Sequence, residues 1–404
     1  MTAMPRSTLT ITLCFVTALL EGFDLQATGI AAPHLAKAFE LSPAMLGWVF
    51  SAGLLGLLPG AFVGGWLADR TGRKRVLVGA VLLFGAFSLG TAYAWDFHSL
   101  LLARLMTGLG LGAALPILIA LASEAVDPRW RSTAVSLTYC GVPLGGAVAS
   151  LIGLSGAGAD WHVVFYAGGV APLLVAMALA GLLPESRAFS ARAAVRVGIA
   201  QGLFGESRAS RTLLLWLACF FTLTVLYMLL NWLPSLLMGQ GFSRSQAGAV
   251  QVLFNLGGAA GSFITGRLMD KGRAKGAVAM AYIGMLAALA GLGLFNQFGW
   301  MLAAGCLAGY CAIGGQLVLY ALAPTLYPTA CRATGVGAAV AVGRLGSMAG
   351  PLAAGQILAA GAGAGGLLGA AAPGLVIAAV AALGLLRQRA KPEGAPATAV
   401  LIDR

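Results

Sequence analysis

More than twenty mostly apolar residues in a row, repeated twelve times between Leu9 and Leu386, leave this chain few folds to choose from. A helix needs about 20 such residues to cross the hydrocarbon of a bilayer, and a lipid-exposed segment must satisfy its own backbone hydrogen bonds. The stretches are too long and too continuous for strands, so each predicts a transmembrane helix. The expected spans are 9–33, 44–67, 75–95, 99–122, 132–156, 161–183, 212–236, 246–269, 275–296, 300–323, 333–359 and 364–386. Only 9% of the residues are charged and 59% are hydrophobic, against roughly 25% charged in soluble domains. A soluble fold would need one outsized core. The first span is too long for a secretory leader and lacks a small-residue cleavage site, so no signal peptide is expected.

The charges that remain are sorted by side. Lys and Arg next to short loops stay in the cytoplasm. With the N-terminus inside, all but four of the 25 Lys and Arg residues fall in inside segments; Lys37 and Arg244 lie outside, and Arg104 and Arg344 lie within spans. Both termini are therefore expected in the cytoplasm of a bacterial-type inner membrane. This distribution accounts for the net charge of +12, and no nucleic-acid partner is implied. His34, His98 and His162 fall in expected outside loops. The six cysteines show no spacing that would ligate a metal and read as small packing residues. No cofactor is expected.

The chain also repeats itself. "GWLADRTGRKR" from Gly65 has a counterpart in "GRLMDKGRAKG" from Gly266, with Asp69 and Asp270 201 positions apart. Arg131 in "RSTA" and Arg332 in "RATG" are separated by the same interval. Two loops that agree on one offset predict two homologous six-helix bundles, residues 1–183 and 212–386. A cytoplasmic linker at 184–211 joins them and a cytoplasmic tail at 387–404 follows. Parallel repeats of this type place a binding site near the midplane between the halves.

Four ionisable residues lie well inside spans: Glu21, Asp24, Arg104 and Arg344. Each costs at least about 2.5 kcal/mol at the bilayer centre, so such groups face a cavity or a partner. Glu21 and Asp24 are three apart and share one helix face, where both can line a single aqueous path. From a rise of about 1.5 Å per residue, Asp24 and Arg104 are both about 8 Å below the outer boundary, and Glu21 and Arg344 are near the midplane. Arg344 presents a planar fork suited to a carboxylate. Burial favours a protonated acid and a nearby cation an ionised one, so the two acids can divide proton carriage from conformational pairing. The plainer reading is a structural ion pair that exchanges no proton. Tyr227 and Asn231 share a face in the seventh span, where Pro234 can open the helix; Gln316 and Tyr320 are likewise four apart in the tenth. Rings and amides of this type suit an aromatic acid, although membrane helices also use them for packing.

Several segments together resemble a known family. "GGWLADRTGRKR" is similar to the loop signature of the major facilitator superfamily, and "RLMTGLGLGAALP" from Arg104 is similar to its fourth-helix motif. With "EGFDLQATGIAAP", "LPES" and "LYPTACRATGVG", the whole chain resembles the aromatic acid:proton symporters, and within them the transporters of 3-(3-hydroxyphenyl)propionate and related phenylpropanoids. The resemblance implies an all-α integral membrane fold of twelve helices in two pseudo-symmetric bundles. It also implies a monomer that imports a small aromatic carboxylate with a proton, and no enzymatic activity. Glu21, Asp24 and Arg104 would serve proton coupling. Those three together with Arg344, Tyr227, Asn231, Gln316 and Tyr320 would bind substrate. The resemblance further implies that Asp69, with Arg70, Gly72 and Arg73, latches the cytoplasmic side, aided by Glu124, Arg131, Asp270 and Arg332. Two departures stand out. Many relatives carry aspartate where this chain has Glu21, and "CGVPLGG" is close to the end of a motif typical of proton antiporters but lacks the glycine before Pro143. The alternative is accordingly an antiporter that exports amphipathic compounds.

Overall fold

The computed structural model describes residues 6–127, 130–155, 160–184, 203–205, 208–327 and 332–389. All twelve expected spans are helices, most of them a few residues longer than expected at one or both ends. They are α1 (Arg6–Ala38), α2 (Pro43–Thr71), α3 (Arg73–Ala92), α4 (Phe97–Glu124), α5 (Arg131–Leu154), α6 (Trp161–Leu182), α7 (Ala209–Gly239), α8 (Arg244–Asp270), α9 (Ala274–Leu294), α10 (Phe298–Leu322), α11 (Arg332–Ala359) and α12 (Ala364–Arg389). No strand occurs among the described residues. Each helix is long and apolar enough to cross a membrane. The expected linker and tail lie largely outside the described residues.

Local chemistry explains where helices start. Ser42 accepts a hydrogen bond from the Met45 backbone N–H and precedes Pro43, which suits the first helical turn. Ser243 caps α8 in a reciprocal arrangement with Gln246. Asp96 and Ser99 form the same kind of box at α4. His98 and His162 lie in the first turns of α4 and α6, and His34 lies within α1. The expectation that all three sit in loops is therefore corrected; capping by Asp96 and Asp160 draws the helices outward past the apolar boundary. The proline at 234 does not open α7, which runs unbroken through it from Ala209 to Gly239.

Within the first six helices α1 packs on α5, α2 on α4 and α3 on α6; in the second six, α7 packs on α11, α8 on α10 and α9 on α12. The bundles meet along α2 with α11, α5 with α8 and α1 with α7. Both the start of α1 and the end of α12 lie on one face, which also carries the basic loops after α2 and α8 and is called the basic face below. The bundles are joined on the opposite side. Ser51 donates to the Met348 carbonyl at 2.8 Å, the rings of Phe50 and Trp232 meet edge to face at 5.1 Å, and Gly29 sits on the backbone of Asn231.

Candidate functional site

Asp24 is fully buried and fully engaged. Its Oδ2 accepts from Arg104 Nη2 at 2.8 Å, its Oδ1 accepts from Ser88 Oγ at 2.7 Å and more distantly from Arg104 Nη1, and Arg104 also reaches the Asp24 carbonyl. The guanidinium lies over the Phe165 ring. Helices α1, α3, α4 and α6 all contribute, so this is a closed assembly within one bundle. Two charges held this way satisfy each other, whereas removal of either leaves the other stranded at a cost of about 3–5 kcal/mol.

Glu21, one turn earlier, is placed quite differently. It is 1% exposed, its Oε2 has no hydrogen-bond partner among the described residues, and the cation within electrostatic reach of it is Arg344 of the other bundle. The expectation that both acids line one path is corrected: three residues separate them by about 60° around the helix, enough to send Asp24 into its own bundle and Glu21 across the interface.

Arg344 gathers the remaining polar groups. Its Nη1 donates to Tyr227 Oη at 2.9 Å, and Tyr320 and Tyr139 lie within its electrostatic reach. Gln316 donates to Tyr320 Oη at 3.1 Å. Arg344, Tyr139 and Tyr320 are half-buried, so the cluster is not sealed. A guanidinium ringed by phenols and amides, with a carboxyl group opposite, can hold an aromatic anion by its charged end and by its ring. Asn231 departs from the expected set. Its amide donates to the Tyr227 carbonyl one turn back at 2.8 Å and is buried under Gly29, which makes it a packing group of α7.

Sequence reasoning missed several participants. Tyr139 shares a face of α5 with Pro143 and Gly146, and Gly146 abuts Asn255 of the other bundle, so the turn spacing marks that face as interfacial. Gln26, Gln251 and Asn255 form a buried amide knot between α1 and α8. Gln26 donates to Asn255 Oδ1 at 2.7 Å, while Asn255 and Gln251 donate to Gln26 Oε1 at 2.7 and 2.8 Å. Amides four apart inside an apolar span were the available signal. Between described residues, the side-chain hydrogen bonds that join the bundles are these and Ser51 to Met348, all on the side remote from the basic face.

Of the expected latch, Arg73 pairs with Glu124 and Arg70 lies 4.0 Å over the Trp66 ring. Both contacts stay within the first bundle. Gly72 forms the turn after α2 with φ 100°, where a side chain would be strained. The side chains of Asp69, Arg131, Asp270 and Arg332 lie outside the described residues. Five cysteines are free thiols, Cys331 falls outside the described residues, and among these residues no cluster capable of holding a metal occurs.

Comparison with known proteins agrees with this architecture. The profile of the Major Facilitator Superfamily matches residues 14–271 and 239–402. The chain is 56% identical over 386 residues to the 3-(3-hydroxy-phenyl)propionate transporter of Escherichia coli (strain K12), covering 96% of each chain. It is 36% identical to the gallate transporter of Pseudomonas putida, covering 88% of this chain and 86% of that one. It is 35% identical to the 4-hydroxybenzoate transporter PcaK of the same organism, covering 87% and 86%. In fold it is similar to the crystal structure of a D-xylose-proton symporter, with a TM-score of 0.73 at 19% identity over 94% of this chain and 97% of that one. Twelve helices in paired bundles, a whole-length profile match and these identities carry one conclusion: the chain belongs to the Major Facilitator Superfamily, among members named as transporters of aromatic acids.

Proposed function

We propose that this protein imports a phenolic or phenylpropionic acid together with a proton, by alternating exposure of the Arg344 cluster to the two sides of the membrane. The observation that carries the reading is that Glu21 of one bundle and Arg344 of the other lie within electrostatic reach of each other across the interface, with Tyr227, Tyr320 and Tyr139 around the guanidinium. Arg344 takes the substrate carboxylate in its planar fork. Tyr227, Tyr320 and Gln316 hold the ring and its hydroxyl. Glu21 carries the proton, since Oε2 can be protonated without breaking a hydrogen bond. Asp24 and Arg104 form the rigid pair that positions α1, a narrower role than proton coupling by both acids. The relatives' names support the substrate class, because each denotes an aromatic carboxylic acid that carries a ring hydroxyl.

The excess of Lys and Arg supports a cytoplasmic basic face, and the knot of Gln26, Gln251 and Asn255 then closes the outer side. The protein is a multi-pass inner-membrane monomer with linker 184–211. Asp69, Asp270 and their neighbours latch the cytoplasmic side when it closes. The fifth-helix "CGVPLGG" favours a second reading, export by antiport. Proteoliposomes with an inward proton gradient and labelled 3-(3-hydroxyphenyl)propionate separate the two: accumulation supports import, and acid-driven loss supports export. Glu21→Gln is expected to abolish gradient-driven accumulation while preserving substrate exchange. Retention of full proton dependence in that variant would remove Glu21 from its role.

A further inference from the structure

We propose that an anionic phospholipid of the cytoplasmic leaflet binds on the flank of the first bundle, its acyl chain in a groove between α2 and α3 and its phosphate at Arg75. The groove has a volume of about 330 Å³. Helix α2 forms one wall from Gly60 to Thr71, α3 the other from Arg75 to Leu83, and α4 the floor. It exists because the helices diverge: α2 leans on α4 and α11, whereas α3 leans on α4 and α6. Helix α3 packs chiefly against helices of its own bundle, so the opening faces lipid and is separate from the Arg344 cluster.

Length and charge specify the occupant. The α2 wall runs from Gly60 to Thr71, eleven steps of about 1.5 Å or about 16 Å, and one leaflet of a roughly 30 Å hydrocarbon core is about 15 Å deep. The groove thus runs from the basic face to the midplane, the reach of a single acyl chain. Every lining residue is Gly, Ala, Val or Leu except Thr71 and Arg75, and both of these lie at the basic-face end. Arg75 is exposed there, while neighbouring Arg73 is taken by Glu124 and Arg70 by Trp66. A hydroxyl and a guanidinium with no ion-pair partner among the described residues, at the headgroup level above an apolar slot one leaflet deep, match an acyl chain with an anionic head.

Gly79 offers a clean block. A Cβ built there meets nothing within 4 Å, so Gly79→Leu fills the slot without striking the protein. The full-length protein is reconstituted in nanodiscs of equal parts phosphatidylglycerol and phosphatidylcholine, and co-released lipid is read by native mass spectrometry. Wild type is expected to retain phosphatidylglycerol in preference to phosphatidylcholine. Arg75→Gln is expected to cut that preference about fivefold, the effect of one basic residue at an anionic surface. Gly79→Leu is expected to lose the retained lipid of either kind, and Arg387→Gln, basic on the same face but remote from the groove, to match wild type. No headgroup preference in wild type, or retention by Gly79→Leu equal to wild type, overturns the proposal. If Gly79→Leu does not fold, Arg75→Gln decides alone, and an unchanged preference in it is disproof.

Discussion

In the first bundle Gly56 and Gly60 let α2 rest on the backbone of Leu105 and Leu109 of α4, and Gly108 returns the contact against Gly53; in the second, Gly257 and Gly261 rest on Cys306 and Tyr310, and Gly309 on Phe254. Every one of these residues has its counterpart 201 positions away, the interval seen in the loops. The capping serines, Ser42 and Ser243, obey it too. The charges do not. Asp24 and Arg104 correspond to Val225 and Gly305, Arg344 to Pro143, and Glu21 to Thr222, whose hydroxyl pairs with Tyr282. Duplication kept the close backbone packing that holds each bundle together and let the chemistry diverge. The first bundle holds a closed ion pair and the second an open cation, which is the asymmetry a shared site between two similar halves requires.

The strongest way to break this comparison is to open the closed pair. Arg104→Ala strands Asp24 in a buried site and is expected to cost about 3–5 kcal/mol, read as a lower unfolding midpoint and poor yield in detergent. Asp24→Val with Arg104→Gly installs the second bundle's residues and is expected to recover about half of that loss or more, since a buried pair replaced by apolar groups is often near neutral. Additive losses would show that the pair is not a closed unit. The open cation is expected to behave in the opposite manner. Arg344→Gln leaves the unfolding midpoint nearly unchanged but raises the KM for the aromatic acid about tenfold to a hundredfold, because a hydrogen bond to a charged group is worth about 1.5–3 kcal/mol.

A smaller effect is expected at the amide knot. Gln26→Leu removes its hydrogen bonds between bundles, each worth about 0.6 to 1.7 kcal/mol within a membrane. The variant is expected to populate the outward-open state more, measured as faster labelling of a cysteine placed at Ser150 by an impermeant reagent added from outside. The smallest effect belongs to the Asp96 cap, outside the membrane. Its bonds from the Ser99 backbone N–H and side chain hold the carboxyl below the usual carboxylate range. Its contribution is therefore present above a pH of about 4 and fades only as pH falls through the lowered value. Asp96→Asn is expected to leave uptake unchanged between pH 5 and 8, because the Asp96 carboxylate is ionised throughout that range.

Much of this protein is legible from residue order. Hydropathy over twenty residues marks each crossing, because the cost of burying a polar group in lipid is paid locally. The basic residues sort by side for the same reason, and the offset of 201 is visible in two loops before any helix is placed. Depth along a helix axis also follows from counting, which is why Asp24 and Arg104 were expected at one level. Rotation about that axis does not follow. Glu21 and Asp24 differ by about 60°, and only the packing of α4, α5, α6 and α7 around α1 decides that Asp24 meets Ser88 and Arg104 while Glu21 comes within electrostatic reach of Arg344. Tyr139, the Gln26 knot and the demotion of Asn231 to a packing residue have the same origin. Each depends on which neighbour, hundreds of residues away in sequence, fills the space beside a helix face, and that is settled by tertiary contact alone.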